Sequence, residues 1–429
     1  MAFTMATVMI VLLLLGFPMM VPLLAATLLG FVFFTQDLPL EIIVQQMIGG
    51  VRPAALVAVP MFILAADIMT RGQAAERLLD LVMKCIGHVR GGLPISTAVA
   101  CTLFGAVSGS TQATVVAIGT PLRPRLMQSG YSPSFATALI INASDLALLI
   151  PPSIGMIVYG VVSGTSIGEL FIAGVGPALM ILALFCIYCY VKSVRMGIAA
   201  LPSASWAARW QATRAAALPL VFPVIIIGGI YTGFFSPTEA ATISVLYALI
   251  VEVFVFRSLS LKDVPDIALS TGLITAVVFI LVAAGAAFSW LVSFARLPEY
   301  LINDLLGLSA QSSPWLILLV LLLAYFIGCM FVDPIVVILI LTPIFHPLAV
   351  SAGLDPVFIG VLVTLQVAIG SATPPFGCDI FTAIAAFKQS YIDVIRETPP
   401  FVALLLLSNI LLVLFPQIAL FLRDLAFGV

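Results

Sequence analysis

The sequence predicts an all-α polytopic membrane protein built from two related halves, and three observations carry that prediction. Of 429 residues 62% are hydrophobic and only 8% charged, too little polar surface to coat a soluble core. Apolar runs long enough to cross a bilayer recur along the chain. Proline pairs interrupt two of them, at Leu148-Leu149-Ile150-Pro151-Pro152-Ser153-Ile154-Gly155 and at Ser371-Ala372-Thr373-Pro374-Pro375-Phe376-Gly377. Proline removes a backbone donor and crowds the preceding turn, so each pair opens its helix and frees carbonyl oxygens. At membrane depth such a break survives only where protein buries it or a wet cavity lines it. The two breaks are therefore the expected working centre.

The net charge of -2 is too small and too dispersed to point to nucleic acid or an acidic surface. The first basic residue is Arg52, so the stretch from Ala6 to Phe34 lacks the basic start of a cleaved signal peptide and reads as one membrane helix. Asp37 and Glu41 mark an interface, and Val51 to Met69 cross again. From Arg71 to Arg90, Leu78, Leu79, Val82 and Ile86 recur at helical spacing with Arg71, Arg77, Lys84 and Arg90 on the wet side, the pattern of a helix lying along the surface. The six cysteines follow no disulfide spacing and read as small buried thiols.

Leu93 to Met127 is apolar but carries Ser108-Gly109-Ser110-Thr111-Gln112 at its middle. Two limbs of about fifteen residues are too short to span separately, so the stretch reads as a re-entrant hairpin with its tip at Ser108 to Gln112. Ser134 to Ile150, the first break, a shorter piece to Val162 and a span from Leu170 to Val191 follow. Lys192 to Arg214 holds four basic residues and no acidic one, which places it in the cytoplasm. Two spans joined at Ser236-Pro237-Thr238-Glu239 return the chain to a second basic loop with Arg257 and Lys262.

An internal repeat runs through this order. Gly130, Pro133, Phe135, Pro152 and Pro177 recur 223 positions later as Gly353, Pro356, Phe358, Pro375 and Pro400, and Pro121 recurs 222 later as Pro343. The second copy has its own surface stretch (Arg296 to Leu306, with Glu299 and Asp304), broken run with a polar tip (Cys329 to Pro334) and proline break. Counting spans from the basic loop puts the two surface stretches on opposite sides. The repeats are thus inverted, the architecture of secondary transporters. The expected units are 1–50, an N-terminal helix and interfacial segment; 51–195, the first repeat; 196–262, linking scaffold helices; and 263–429, the second repeat.

Opposed half-helices offer positive ends to an anion, while freed carbonyls and hydroxyls offer hard oxygens to sodium. A first sodium site is expected from Ser108, Gly109, Ser110, Asn142 and carbonyls around Ile150 and Gly155, and a second from Asp333, Ser371, Thr373 and Gly377. Thr111, Gln112, Ser153, Asp145 and Asp379 are candidates to line the substrate path. For any single hydroxyl the alternative is a bond to its own preceding turn, and for any single glycine, close packing. Asp145 and Asp379 are acids at membrane depth, functional candidates by default. Arg123 and Arg125 read as snorkelling to the interface, and His346 as a packed or interfacial histidine.

From about Val51 to the C-terminus the motifs resemble the large membrane (M, DctM-type) subunit of tripartite ATP-independent periplasmic (TRAP) transporters. The resemblance is carried, in order, by Pro60-Met61-Phe62-Ile63-Leu64, Arg90-Gly91-Gly92, Ser108-Gly109-Ser110, Gly130-Tyr131, Ile150-Pro151-Pro152-Ser153 with Tyr159-Gly160, Ser236-Pro237-Thr238-Glu239-Ala240 and Thr373-Pro374-Pro375-Phe376-Gly377. It implies an ion-transporter-superfamily-like, elevator-type fold with two re-entrant hairpins and two proline-broken helices. It implies sodium-coupled uptake of a small organic anion across a bacterial or archaeal inner membrane, no organic cofactor, and two partners: a small four-helix (Q-type) membrane subunit and a periplasmic substrate-binding (P-type) protein. Asp145-Leu146, Cys378-Asp379 and Arg123-Pro124-Arg125 depart from the usual family pattern.

An autonomous sodium/divalent-anion symporter of similar hairpin architecture would need no binding protein. A channel is disfavoured by inverted repeats within one chain. An intramembrane enzyme is disfavoured because His88 and His346 form no HExxH motif and no paired-acid motif is present. Replacing Asp333 or Thr373 by alanine is expected to weaken sodium dependence, since each supplies oxygen at the second break; wild-type sodium affinity in both variants would remove them as ligands.

Overall fold

The computed structural model describes residues 2–35, 38–300, 307 and 312–428, and every regular element among them is helical. The chain opens with α1 (Ala2–Leu14) and α2 (Met20–Phe34). Met5 lies against Gly30, so the two helices run antiparallel. The single span expected from Ala6 to Phe34 is therefore corrected to a helical hairpin. Gly16 turns at φ +80°, and Pro18 lacks the N–H that would continue a helix ladder. Helix α3 (Glu41–Val51) follows and ends before Pro53; a short 3-10 turn then leads into α4 (Ala58–Arg71).

The amphipathic stretch forms α5 (Ala74–Ile86), which buries Leu78, Leu79 and Val82 as its spacing requires. The first hairpin is α6 (Gly92–Ser108) and α7 (Thr111–Gln128), whose limbs pack side by side. Helix α8 (Pro133–Ser144) runs on through a 3-10 turn, Asp145–Leu148, to the first break; α9 (Ile154–Ser163) and α10 (Ile167–Arg195) follow. Each of α7, α8, α9 and α10 starts on a serine whose hydroxyl accepts a backbone N–H, the usual remedy for free donors at a helix start.

The linking helices are α11 (Trp206–Tyr231) and α12 (Pro237–Leu249), the latter opened by a capping box of Ser236 and Glu239 and extended by a π-helical turn, Ile250–Val255. Then come α13 (Val264–Phe294), the single turn α14 (Leu297–Glu299), and the second hairpin, α15 (Pro314–Phe331) and α16 (Pro334–Ser351). Of the second surface stretch only α14 is seen; the remainder, with Asp304, lies outside the described residues, as does Asp37. The second broken helix is α17 (Pro356–Ala372) and α18 (Cys378–Phe387). The chain closes with α19 (Tyr391–Ile395), α20 (Pro399–Leu414) and α21 (Gln417–Phe427), the last two bent by 56°. Seven described helices are long and apolar enough to span, or eight if the bent pair counts as one.

Helices α8 and α17 lie at the centre, and every residue from Ser134 to Ser144 and from Val357 to Ala372 is buried. Helices α6 and α7 pack on α8, and α15 and α16 on α17. Outside this core, α13 lies against α2, α3, α4 and α16, α12 against α4, and α11 against α5. Leu269, Leu273 and Val277 of α13 and Val224 of α11 are exposed, as expected of faces turned to lipid rather than water. Ion pairs hold the two ends of the core. Lys192 meets Glu397 at 2.7 Å, and at the opposite end Arg423 meets Asp355 at 3.0 Å, Glu169 at 3.6 Å and Asp424 at 2.7 Å.

One buried carboxylate ties the surface helix to the linking helices. Glu252, in the π-helical turn, accepts from the backbone N–H of Gln73 (3.0 Å) and Ala74 (3.1 Å) and from the Ser258 hydroxyl (2.5 Å). It satisfies the donors that α5 would otherwise leave free. Glu252→Ala is expected to cost about 1–3 kcal/mol by stranding them, read as a lower melting temperature of the purified chain in detergent; an unchanged melting curve would show that the cap is dispensable.

Candidate ion and substrate site

In the first repeat the hairpin tip presses on the proline break. Gly109 adopts a left-handed φ of +61°, and a Cβ there would lie 2.0 Å from the Pro152 carbonyl oxygen. Only glycine meets both demands. Ser110 caps α7, accepting from the Ala113 N–H at 3.4 Å. The Ser108 hydroxyl lies 3.0 Å from that of Thr114, which donates to the Ser110 carbonyl at 2.8 Å. Ser153, placed on the substrate path by sequence, is fully buried and caps α9 through the Met156 N–H at 3.2 Å. Asn142 donates from its amide nitrogen to the Ala138 carbonyl at 2.8 Å, and its amide oxygen is buried with no hydrogen-bond partner. Ile150 and Gly155 flank the break; a Cβ on Gly155 would meet only ordinary contacts.

The second repeat repeats the device with different residues. Asp333 caps α16 by accepting from the Ile335 N–H at 2.9 Å. The Phe376 N–H donates to the Met330 carbonyl at 3.1 Å, so tip and break share a backbone hydrogen bond. Gly370 of α17 packs directly on Cys329 of α15. Within the break the Gly377 N–H donates to the Thr373 carbonyl at 3.2 Å. Ser371 donates to the Ala368 carbonyl at 2.7 Å and Thr373 to the Ile369 carbonyl at 2.5 Å.

These bonds decide what the hydroxyls can offer. A hydroxyl has one proton and two lone pairs. With the protons of Thr114 and Thr373 committed to backbone carbonyls, the remaining faces of those oxygens are acceptors. The Asn142 amide oxygen in the first module and the Asp333 carboxylate in the second are further oxygen acceptors beside the breaks. Thr114 was not singled out by sequence, because a threonine mid-helix carries no signal of its own.

Asp145 and Asp379 come together. Asp145 leaves the first broken helix and Asp379 opens α18 of the second, yet the two carboxyl groups are close enough to interact electrostatically. Thr111 of the first hairpin tip donates to Asp379 Oδ1 at 2.7 Å, and the Ser371 hydroxyl lies 3.2 Å from Asp145 Oδ1. Repeat logic could not pair them, since the position 223 after Asp145 is Ala368.

The other sequence candidates separate. Gln112 is exposed at the tip. Arg123 is half-buried: its Nε donates to the Thr137 hydroxyl at 3.0 Å and its guanidinium lies 5.4 Å from the centre of the Phe387 ring, tying the first hairpin to α18. Arg125 is exposed. His346 is packed as expected, 2.8 Å from the Tyr159 hydroxyl. A cavity of about 240 Å³ lies between the first tip (Ser108, Ser110), Ile154 and the outer helices at Asp67, Thr70 and Ile274. A larger groove of about 520 Å³ is lined mainly by apolar residues, among them Trp315, Leu319, Phe326 and Val413, together with Gln366 and Asn409.

Two hairpin-and-break modules around a buried helix pair define the class: a polytopic helical permease, not an enzyme. The family follows from comparison with known proteins. Residues 6–418 match the family described as tripartite ATP-independent periplasmic transporter, DctM component, and the chain belongs to it. It is 65% identical over 429 residues to the ectoine/5-hydroxyectoine TRAP transporter large permease protein UehC of Ruegeria pomeroyi, covering 100% of both chains. It is 63% identical to the ectoine TRAP transporter large permease protein TeaC of Halomonas elongata, covering 99% of each. The C4-dicarboxylate TRAP transporter large permease protein DctM of Rhodobacter capsulatus is 34% identical over 97% of each chain. Among solved structures the YdaH transporter of Alcanivorax borkumensis superposes with a TM-score of 0.63 at 16% identity, over 93% of this chain and 89% of that one, a likeness of fold alone.

Gly109→Ala is expected to disrupt the first module, combining left-handed strain of about 1–2 kcal/mol with a collision against Pro152, whereas Gly155→Ala leaves room for its methyl. Melting temperature and uptake should fall in the first variant and stay near wild type in the second; equal behaviour of the two would show that contact between tip and break is not limiting.

Proposed function

We propose that this chain is the transport subunit of a sodium-coupled importer of a small carboxylate-bearing solute, and that the solute is an ectoine-type compound. The observation that carries the substrate is the end-to-end identity of 65% and 63% to two relatives named for ectoine, against 34% to one named for C4-dicarboxylates. Sodium would be held at the two tip-and-break contacts, by Ser108, Ser110, Asn142 and break carbonyls in the first and by Asp333, Ser371 and Thr373 in the second. Bound cations there would neutralise the carbonyl-rich breaks and attract a carboxylate to the adjoining helix starts.

The inner core of hairpins and broken helices would move against the outer helices α4, α11, α12 and α13 in an elevator-like step. The cavity between the first tip and Asp67, Thr70 and Ile274 lies on that seam and supports the path. The chain would sit in the cell inner membrane with the Lys192 to Arg214 loop in the cytoplasm. It would work with a small four-helix membrane subunit and a periplasmic binding protein that delivers the solute.

Proteoliposomes holding the chain and its small subunit, supplied with binding protein loaded with labelled ectoine, test the reading. Uptake is expected only with an inward sodium gradient and with the binding protein present. Uptake indifferent to sodium would end the coupling claim, and uptake of free ectoine without the binding protein would favour the autonomous symporter.

A further inference from the structure

Asp145 and Asp379 are neighbouring acids buried in the core, and neither proposed sodium site accounts for them. Both side chains are buried, at 1% and 0% exposure. Each has one oxygen, Oδ2, sealed from solvent with no hydrogen-bond partner. Among the described residues, none of the ion pairs involves either acid. Their polar neighbours add no positive charge: Thr111 and Ser371 are hydroxyls, and Cys378 and Asp333 are close enough to interact electrostatically. Two neighbouring carboxyl groups in a dry interior repel unless a proton or another cation neutralises one of the charges.

We propose that Asp145, Asp379, Thr111 and Ser371 form a third monovalent-cation site, on the seam between the two repeats. The donors are four protein oxygens from four different segments: the end of the first broken helix, the start of α18, the first hairpin tip and the end of α17. The Ser371 hydroxyl can donate to the Ala368 carbonyl at 2.7 Å or to Asp145 Oδ1 at 3.2 Å, and with its proton on Ala368 its lone pairs face the carboxyls. The unpartnered Oδ2 atoms supply the anionic ligands. A set this small and dry suits a dehydrated sodium ion. Calcium asks for six to eight oxygens, and magnesium retains several waters.

The site also has a consequence for transport. Its ligands come from both halves of the core, so an ion bound there would clamp the first tip, through Thr111, to the second broken helix. Loading the seam would make the core one rigid body, the condition an elevator step requires. The proposal rests on sodium being the coupling ion, and its test uses neither solute nor uptake.

Radioactive sodium binding and sodium-dependent thermal stabilisation would be measured on the purified full-length chain in sodium-free choline buffer. The isosteric double variant D145N/D379N is expected to bind one sodium fewer per chain than wild type. The single variants D145N and D379N should raise the half-saturating sodium concentration for stabilisation by about tenfold or more, the loss of one charged ligand. D333A should retain the seam ion. Unchanged stoichiometry in the double variant, with unchanged half-saturation in both single variants, would overturn the seam site while leaving the two break sites standing. A wild-type chain that binds no sodium would overturn the coupling reading as well. Should the double variant fail to fold, the single variants and T111V decide, because each keeps at least one carboxylate and the same packing volume.

Discussion

A helix broken at membrane depth must have its freed backbone groups satisfied by protein, because no bulk water is there to do it. Both proline breaks receive the tip of a helical hairpin, by close packing in the first and by a backbone hydrogen bond in the second. In the first repeat Gly109 lies against the Pro152 carbonyl, and in the second the Phe376 N–H bonds to the Met330 carbonyl. The architecture around them follows: hairpins must reach the middle of the core, broken helices must occupy it, and the remaining helices are left to face lipid. Helices α8 and α17 are buried along their length for that reason.

The contacts that close the breaks also create the chemistry. Threonine hydroxyls near each break give their protons to helix carbonyls, which leaves oxygen lone pairs in a space without competing donors. The two modules are related by the repeat but not copied: the first relies on hydroxyls and an amide, the second on a carboxylate, Asp333. That asymmetry gives the two modules different polar groups at their breaks.

The two buried acids Asp145 and Asp379 sit where the halves meet. Asp145 and Asp379 belong to different repeats and to non-equivalent positions, so their contact joins the halves rather than serving either one. Arg123 also crosses between the halves, through Thr137 and the Phe387 ring. The core is thus knit by polar contacts at its centre and by ion pairs at both ends, Lys192 with Glu397 and Arg423 with Asp355. Apolar packing alone gives little orientation inside lipid, where hydrocarbon outside is as apolar as hydrocarbon within.

Much of this was legible in the residues alone. Apolar run lengths set the helices; Ser108 to Gln112 marked a tip; Pro151-Pro152 and Pro374-Pro375 marked the breaks; and the 223-residue register related the halves. These are local signals, governed by backbone donors and by the need to keep polar groups out of lipid, so sequence suffices for them. The initial hairpin at Gly16 to Pro18 was equally local but lay hidden within an apolar run that reads as one span. Tertiary structure alone decided that Asp145 meets Asp379, that Arg123 turns inward to Thr137, and that Glu252 caps α5 from 178 residues away. Those partners are set by how whole helices cross, and a side chain's neighbours across a helix crossing leave no spacing in the sequence from which to read them.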